Sequence, residues 1–211
     1  MVKDFGIDLE QCLNCLKGEG IFLYPTDTVW GLGGDATNEA AAQRIMQLKN
    51  RPANKSFVIL VADEIQLARY VKNVDSRIID YLNRFEKPTT VIYAGAQGLA
   101  PMVMAADGSV AIRICKDPFC QALLRQSGKP LISTSANLSG QPTPALFAEV
   151  DPAVVQGVDY VVRHRQQDRK RAAASTIIKW HPERLPENGQ LVTNKQEAAT
   201  AGQRPIEIIR P

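Results

Sequence analysis

Residues 21–50, IFLYPTDTVWGLGGDATNEAAAQRIMQLKN, contain a short apolar run, a polar loop, three glycines and a segment with helical spacing. The apolar run is rich in β-forming residues and predicts a strand. Asn38 can cap a helix. After it, Ala42, Ile45 and Met46 recur at the spacing of one helix face. A strand joined closely to an amphipathic helix is typical of an α/β domain.

Similar runs continue along the whole chain of 211 residues. Further short β-rich runs lie at 57–61, 90–93, 110–114, 158–162, 175–179 and 206–209. Segments with helical spacing lie at 8–17, 64–71, 75–85 and 118–126. No linker rich in Pro, Gly or Ser interrupts the chain before its last quarter. We therefore expect one α/β domain, built around a sheet, that spans residues 1–211.

The composition is that of an ordinary globular protein, with 45% apolar and 22% charged residues. No apolar run approaches the roughly 20 residues that cross a bilayer, and the first residues lack the apolar stretch of a secretory signal. We therefore expect a cytoplasmic protein with reduced thiols and no membrane partner. The net charge of +3 is too small to indicate a nucleic-acid-binding protein, although it permits an anionic ligand.

The pair Cys12 and Cys15 has the spacing of half a zinc site or of a redox dithiol. The pair falls on the apolar face of a predicted helix, and the spacing of Cys115 and Cys120 does not suit a zinc ribbon. Neither of the two histidines, His164 and His181, sits among carboxylates or cysteines at the spacing of a metal site. We therefore expect core thiols and no metal site.

The segment 31–36, GLGGDA, matches the alanine-terminated form of the dinucleotide-binding fingerprint. In a dinucleotide fold the glycines follow the strand directly, whereas residues 25–30 intervene here. No acidic residue closes a second strand about 20 residues later. We interpret the glycines as a tight turn at which the backbone approaches another group closely.

Cationic and small polar side chains cluster near the expected ends of strands and helices. They are Thr26, Asp27, Thr28, Lys49, Arg51, Ser133, Ser135, Asn137, Ser175, Thr176 and Arg210. Lys49 and Arg51 could simply complement the negative end of a helix, and residues 133–137 could form an ordinary turn. Together, these groups suit a phosphorylated nucleotide beside a small polar substrate.

The segment 163–171, RHRQQDRKR, has five Lys or Arg residues and one acid. Its charges have no aromatic residues between them, although aromatic residues commonly stack on the bases of single-stranded RNA. A solvated loop is therefore the favoured interpretation, and an RNA-binding patch is the alternative.

Five ordered motifs resemble those of the YrdC/YciO-like family of threonylcarbamoyl-adenylate synthases. They are YPTDTVWGLG at 24–33, KNRP at 49–52, VAIR at 110–113, STSANLSG at 133–140 and ASTII at 174–178. The resemblance, to the short single-domain type, implies a YrdC-like fold with a twisted mixed sheet, flanking helices and a concave basic cavity. It also implies synthesis of threonylcarbamoyl-AMP and pyrophosphate from L-threonine, bicarbonate or CO2, and ATP.

The resemblance also implies roles for individual residues. Lys49 and Arg51 match the KxR motif, which implies that they are catalytic and bind the nucleotide. The other implied nucleotide ligands are Arg113, Ser135, Asn137 and Arg210. The residues implied to line a threonine pocket are Thr26, Ser175 and Thr176. No protein metal ligand is implied, and Mg2+ would accompany the ATP.

In this family the product passes to a partner transferase that modifies tRNA, and weak binding of tRNA by the synthase is a secondary expectation. The alternative function is a non-catalytic double-stranded RNA or tRNA binding protein of the same fold, which the basic segment 163–171 suggests. A carbamoyl-transfer domain of hydrogenase maturation is disfavoured, because the sequence lacks the accessory zinc-finger and acylphosphatase-like segments.

Overall fold

The computed structural model describes residues 5–52, 57–85, 87–181 and 205–211. Its helices are α1 (Gly6–Lys17), α2 (Glu39–Lys49), α3 (Glu64–Tyr70), α4 (Ser76–Asn83), α5 (Pro118–Ser127) and α6 (Pro152–Gln156). Its strands are β1 (Phe22–Tyr24), β2 (Gly31–Gly33), β3 (Val58–Val61), β4 (Thr89–Tyr93), β5 (Val110–Ile114), β6 (Leu131–Ser135), β7 (Tyr160–Val161), β8 (Thr176–Trp180) and β9 (Ile206–Arg210). Two short 3-10 turns lie at Pro101–Val103 and Phe147–Glu149.

The strands form one mixed sheet in the order β7-β1-β2-β6-β3-β5-β4-β8-β9. β1 pairs with β7, β3 with β5 and β4 with β8 in parallel. The remaining neighbouring pairs are antiparallel. The predicted mixed α/β class, with a twisted sheet and flanking helices, is confirmed.

One face of the sheet is covered by α2, α3 and α4. Ala42 and Ile45 of α2 and Leu67 of α3 belong to the same buried cluster as Ile59 and Ile112 of the sheet. Because side chains alternate between the two faces of a strand, the residues next to Ile59 and Ile112 in sequence project from the other face. The larger of the two buried apolar clusters therefore lies on the face that α2, α3 and α4 cover.

The other face changes from apolar to polar across the sheet. Leu16 of α1 and Leu123 of α5 pack with Tyr24 and Leu60 in a second buried cluster. Leu60 is the cross-strand partner of Arg113. Since directly paired residues project from the same face, Arg113 extends this surface beyond the apolar cluster. This face of the sheet thus carries the charge of Arg113 beside the second, smaller apolar cluster.

The glycines at 31–34 do not form the tight turn that the sequence suggested. Gly31–Gly33 is strand β2, which is antiparallel to β1. A Cβ atom on Gly33 would lie 2.5 Å from Cε1 of Tyr24. Glycine is required because the Tyr24 ring packs directly on this backbone. The predicted close approach is therefore real, but the approaching group is part of the protein.

The polar residues after position 132 also differ from the prediction. Ser133 and Ser135 lie inside β6 rather than in a loop after a strand. Ser133 is paired with Val58, two residues before Leu60, and therefore projects from the polar face. The sequence pattern did not predict a strand here because serine is not a strong β-former.

The other predicted elements are confirmed with small shifts at their ends. Asn38 caps α2, its Oδ1 accepting the amides of Ala40 at 2.9 Å and Ala41 at 3.2 Å. The helices expected at 64–71 and 75–85 end at Tyr70 and Asn83. None of the helices in the described ranges is long and apolar enough to span a membrane.

The cysteines occupy the smaller core. Cys12, Cys115 and Cys120 are fully buried, and Cys15 is half-buried. Burial, with smaller contributions from Cys15 and Asp8, raises the pKa of the Cys12 thiol far above its ordinary value. A buried neutral thiol is a poor nucleophile and a poor metal ligand, which supports the interpretation as core thiols.

Candidate active site

The two cations of the KxR motif are set by the end of α2. Lys49 is the last residue of the helix, and Asn50 follows in the left-handed conformation with φ 48°. The amide of Asn50 donates to the Gln47 carbonyl at 3.1 Å, and that of Arg51 donates to the Met46 carbonyl at 2.9 Å. This pair of bonds is the Schellman motif, which reverses the chain after a helix. Lys49 and Arg51 therefore both extend from the turn that ends α2.

The Lys49 side chain joins this turn to the end of β6. It is 1% exposed, and Nζ donates to the main-chain carbonyls of Ser135 and Asn137. The Ser135 hydroxyl donates to Oδ1 of Asn137 at 2.5 Å. The KxR motif and the segment that contains Ser135 and Asn137 are therefore in direct contact, although 86 positions separate Lys49 from Ser135. We call these four residues, Lys49, Arg51, Ser135 and Asn137, the Lys49 corner.

Among the described residues, Nζ of Lys49 contacts main-chain carbonyls rather than carboxylates. Burial, reinforced by the charge of Arg51, lowers the pKa of Lys49 to about 7. Burial also lowers the pKa of Arg51, whose guanidinium carbon lies 5.0 Å from the centroid of the Phe57 ring. Carbonyl oxygens orient an ammonium group but do not neutralise it. The corner therefore favours an anionic ligand.

A second group of charges surrounds Arg113 in the middle of the sheet. Arg113 is 4% exposed, and its Nη2 lies 3.0 Å from Oδ1 of Asp27 and donates to Oγ1 of Thr28 at 3.2 Å. Within the described ranges, Nε of Arg113 and Oδ1 of Asp27 lack a hydrogen-bond partner. A buried guanidinium N–H without an acceptor is costly, and a ligand oxygen would satisfy it.

Arg210 completes this second group from β9. Its Nη2 donates to the Ser175 carbonyl at 3.0 Å, and the Ser175 hydroxyl lies 2.8 Å from that of Thr90. Burial, together with the positive charge of Arg113, lowers the pKa of Arg210. We call Asp27, Thr28, Arg113, Ser175 and Arg210 the Arg113 corner. β5 and β6 flank β3, so the two corners lie on strands about 10 Å apart.

Two of the residues implied for the threonine pocket lie near the Arg113 corner. Thr26 is buried, and its hydroxyl donates to the Val29 carbonyl and accepts the Thr28 amide, both at 2.9 Å. The Thr26 side chain therefore shapes the loop between β1 and β2. Ser175 is buried where Arg210 reaches the sheet.

Thr176 lies on the other side of the sheet from Ser175. Thr176 is the first residue of β8 and projects from the same face as Ile178. Ile178 belongs to the larger buried cluster, on the face that α2, α3 and α4 cover. Neighbouring residues of a strand cannot both project into one pocket. The structure therefore places these two residues, which the resemblance of the ASTII motif implied together, on opposite faces of the sheet.

The basic segment 163–171 is tied to the protein rather than fully solvated. Nη1 of Arg165 donates to the Thr26 carbonyl at 2.9 Å and to Oδ2 of Asp117 at 2.8 Å. Arg171 forms an ion pair with Glu149 at 2.5 Å. The prediction of a solvated loop is thus wrong for part of the segment. Two of its cations are used internally, which weakens the RNA-binding alternative.

A small pocket lies between this segment and the loop that joins β1 to β2. Thr26, Thr28 and Trp30 line one side, and Arg165 and Lys170 are among the residues on the other. The sequence analysis did not assign Arg165 to a site. The available signal was weak, since a charged run after a strand is ordinarily a surface loop.

Acidic groups are sparse around both corners. No three His, Cys, Asp or Glu side chains in the described parts of the chain stand close enough to hold a metal ion. Asp27 is a carboxylate of the Arg113 corner, and it already lies against Arg113. The donor set therefore does not form a metal cage, although one carboxylate could join a metal carried on phosphates.

The chain is similar to proteins of one known family. The Sua5/yciO/yrdC family model, described as "Telomere recombination", matches residues 14–188. The threonylcarbamoyl-AMP synthase of Xanthomonas euvesicatoria pv. vesicatoria (strain 85-10) is 37% identical over 160 residues, which are 74% of this chain and 85% of the relative.

Two solved structures share the fold at lower sequence identity. E. coli YciO has a TM-score of 0.73 and 20% identity, covering 97% of this chain and 88% of YciO. P. abyssi Sua5 complexed with L-threonine has a TM-score of 0.72 and 24% identity, covering 82% of this chain and 51% of Sua5. On the extent of the family match and on the identity to its relatives, the chain belongs to the Sua5/YciO/YrdC family.

Proposed function

We propose that this chain is an L-threonylcarbamoyladenylate synthase, which makes threonylcarbamoyl-AMP and pyrophosphate from L-threonine, bicarbonate or CO2, and ATP. The observation that carries the proposal is the contact of Lys49 with the Ser135 and Asn137 carbonyls, beside a second group in which Nε of the buried Arg113 has no partner among the described residues. The relative with 37% identity has the name of this activity. The reaction class is nucleotidyl transfer.

The chemistry needs placement and charge more than a protein nucleophile. The deprotonated amine of threonine adds to CO2 to give a carbamate. A carbamate oxygen then attacks the α-phosphorus of ATP, the bond to the bridging oxygen breaks, and pyrophosphate leaves. Holding these groups in line removes most of the entropic barrier, and cations stabilise the charge that develops on the phosphate oxygens. The side chains of the two corners supply such cations.

The Lys49 corner is suited to the nucleotide phosphates. Lys49 and Arg51 are our candidates for the catalytic cations. An ammonium group has three N–H donors, and Lys49 uses two of them on carbonyls, which leaves one for a phosphate oxygen. Ser135 and Asn137 are bonded to each other, and Nδ2 of Asn137 donates to the Leu138 and Gln141 carbonyls, so their part is to fix the end of β6 and to offer remaining lone pairs.

The Arg113 corner supplies the remaining anion contacts. We assign Arg113 and Arg210 to the triphosphate: Arg113 is buried and its Nε has no partner among the described residues, and the more exposed Arg210 reaches the same corner through the Ser175 carbonyl. Ser175 and the loop shaped by Thr26 form one wall of the threonine pocket in this proposal. Thr176 does not line this pocket in the proposal; its amide donates to the Pro88 carbonyl at 3.0 Å and fixes the start of β8.

Mg2+ would arrive with the ATP, since it favours phosphate oxygens and keeps much of its water shell. The chain would offer Asp27 at most, and Asp27 also orients Arg113. The product would pass to a transferase that modifies tRNA, which places the proposed activity in the cytoplasm. Any contact with tRNA would be weak, because the basic segment is partly engaged within the protein.

The test is a reaction of the purified chain with ATP, labelled bicarbonate and L-threonine. We expect pyrophosphate release that depends on threonine and a labelled nucleotide product. The matched variants are Arg51→Ala, in the Lys49 corner, and Arg169→Ala, at an exposed position of the basic segment. We expect at least about a tenfold loss of turnover in the first and none in the second. Absence of threonine-dependent release from the wild-type chain would reject the proposal.

A further inference from the structure

Arg165 has an unusual backbone conformation for its residue type. Its φ is 68°, in the left-handed region that Gly, Asn and Asp populate most readily. The other non-glycine residues with positive φ in the described ranges are Asn50 and Asn73. A disfavoured conformation persists only where the surroundings hold it in place, and such positions are common at functional sites.

The main chain of this turn is held by a buried carboxylate. Asp8 of α1 accepts the amide of Arg163 at 3.0 Å and that of His164 at 2.8 Å. It also accepts the Tyr160 hydroxyl at 2.6 Å. The residues immediately before Arg165 are thereby attached to the body of the protein. The turn is anchored at its start.

The Arg165 side chain is held by two further carboxylates and one carbonyl. Nη1 donates to Oδ2 of Asp117 at 2.8 Å and to the Thr26 carbonyl at 2.9 Å, and Nε donates to Oδ2 of Asp168 at 2.7 Å. Asp117 is 7% exposed, and its Oδ1 caps α5 by accepting the amides of Phe119 and Cys120. Arg165 thus links a rigid helix end to the loop between β1 and β2.

That loop carries the contacts of the Arg113 corner. The Thr26 hydroxyl accepts the amide of Thr28, and the Thr28 hydroxyl accepts Nη2 of Arg113 at 3.2 Å. A continuous series of bonds therefore runs from Asp117 through Arg165 and Thr26 to Arg113. Arg165 and Thr26 also face the same small pocket.

We propose that Arg165 is a positioning residue for the amino-acid substrate: it fixes the loop at residues 25–30 through the Thr26 carbonyl and so sets the shape of the threonine pocket. The expected change in the KM for L-threonine rests on the proposed function. A positively charged Arg165 is also the right partner for this role, because a guanidinium group can bond a carbonyl and two carboxylates at once. A lysine could not reproduce that geometry.

The test uses the full chain and two changes at this position. Arg165→Gly removes the guanidinium while glycine adopts φ 68° without strain, so the backbone can stay as it is. Arg165→Lys keeps the charge and loses the fork of donors. Asp117→Asn keeps a good helix cap and removes the buried charge that faces Arg165. Arg169→Ala, at an exposed position of the same segment, is the matched control.

Two readouts separate positioning from simple stabilisation. We expect Arg165→Gly to raise the KM for L-threonine at least about tenfold and the KM for ATP by a clearly smaller factor, since the loop also reaches Arg113 through the Thr28 hydroxyl. Arg165→Lys and Asp117→Asn should give smaller increases in the threonine KM. Amide hydrogen exchange of the peptide covering residues 25–30 should become at least about tenfold faster in Arg165→Gly. The control should match wild type in both measurements.

Several results would overturn the inference. One is an unchanged threonine KM in Arg165→Gly, and another is an equal rise in both KM values, which indicates general damage. Unchanged exchange at residues 25–30 would also contradict it. If Arg165→Gly does not fold, Arg165→Lys and Asp117→Asn decide the question by the same criteria. If wild type releases no pyrophosphate, the proposed function fails, and the exchange measurement still decides whether Arg165 holds the loop.

Discussion

The two corners of the site hold positive charge in different ways. In the Lys49 corner, the ammonium group of Lys49 is anchored on the carbonyls of Ser135 and Asn137. In the Arg113 corner, Nε of Arg113 has no partner among the described residues. The first corner is thus already bonded within the protein, whereas the second leaves a buried donor for something else.

This difference separates two kinds of contribution to one site. A cation bonded to backbone carbonyls organises the chain and keeps part of its charge for a ligand. A guanidinium with an unmet donor gains a hydrogen bond only when an acceptor arrives, so its binding contribution is larger. We therefore expect mutations in the Arg113 corner to affect catalysis most, and those in the Lys49 corner to affect both catalysis and stability.

The largest expected effect is that of Arg113→Gln. Removing this charge should lower kcat/KM for ATP by about a hundredfold, or about 2.7 kcal/mol, because the unmet donor and the buried charge are lost together. Steady-state pyrophosphate release measures the change. Arg125→Gln, at a guanidinium that is 61% exposed, is the control and should be neutral. A loss of less than about threefold in Arg113→Gln would remove the distinction between the corners.

The next largest effect is that of Lys49→Met, which keeps the length of the side chain and removes its charge. We expect at least about a tenfold loss of kcat/KM for ATP. We also expect the free energy of unfolding to fall by about 1–3 kcal/mol, because two carbonyls lose their buried donor. Denaturant unfolding measures the second change.

Arg51→Met sharpens the Lys49 prediction. Its guanidinium is half-buried against Phe57, so its loss should lower turnover to a similar degree and stability less. Equal destabilisation by the two variants would show that the carbonyl contacts of Lys49 are not what stabilises this corner.

The pH dependence of ATP use distinguishes lysine from arginine. Burial and the charge of Arg51 lower the pKa of Lys49 to about 7, so the side chain is charged below that pH and neutral above it. We expect kcat/KM for ATP to fall about fivefold from about pH 6 to about pH 8.5, since this parameter reports the free enzyme. Lys49→Met should abolish this part of the profile, and an unchanged inflection in the variant would assign it to another group.

The same pKa shift affects stability in the opposite direction. The unfolded chain keeps the Lys49 proton up to its ordinary pKa of 10.5, whereas the folded chain releases it near 7. Between these values the unfolded state binds more protons, so the Lys49 contribution makes the free energy of unfolding rise with pH. Denaturant unfolding at several pH values in wild type and Lys49→Met would measure it.

The smallest effect compares two neighbours at the start of β8. Ser175→Ala should raise the KM for threonine about threefold, because its hydroxyl is buried between Thr90 and Arg210. Thr176→Val preserves shape on the opposite face and should leave that KM unchanged within error. If Thr176→Val has the larger effect, the face assigned to β8 is wrong.

Much of the fold was predictable because local patterns agree with it. The β-rich runs and the helix capped by Asn38 appear where propensity and periodicity place them. The missed strands are β2, made of glycine and leucine, and β6, three of whose five residues are Ser or Thr. Both lie in the sheet because of their neighbours, the Tyr24 ring and strand β3, and no local pattern encodes those neighbours.

The candidate site was predictable as a set of residues but not as a geometry. Motif order indicated Lys49, Arg51, Ser135 and Asn137 together, and the structure brings Lys49 to the other motif's carbonyls. The role that we propose for Arg165 could not be predicted, because it depends on a turn far along the chain contacting the Thr26 carbonyl. Thr176 was included because the resemblance of the ASTII motif implied it, and a motif does not show which face of a strand a residue takes.

The amino-acid sequence by itself determined the local elements, the ordered motifs and the excess of cations near them, since these depend on composition and on spacing along the chain. Only the tertiary structure decided which strands are neighbours and which face each side chain takes. It also decided which cations are already bonded, at Lys49 and Arg165, and which donor is unmet, at Arg113. The physical reason is that burial and the supply of hydrogen-bond partners come from residues distant in sequence.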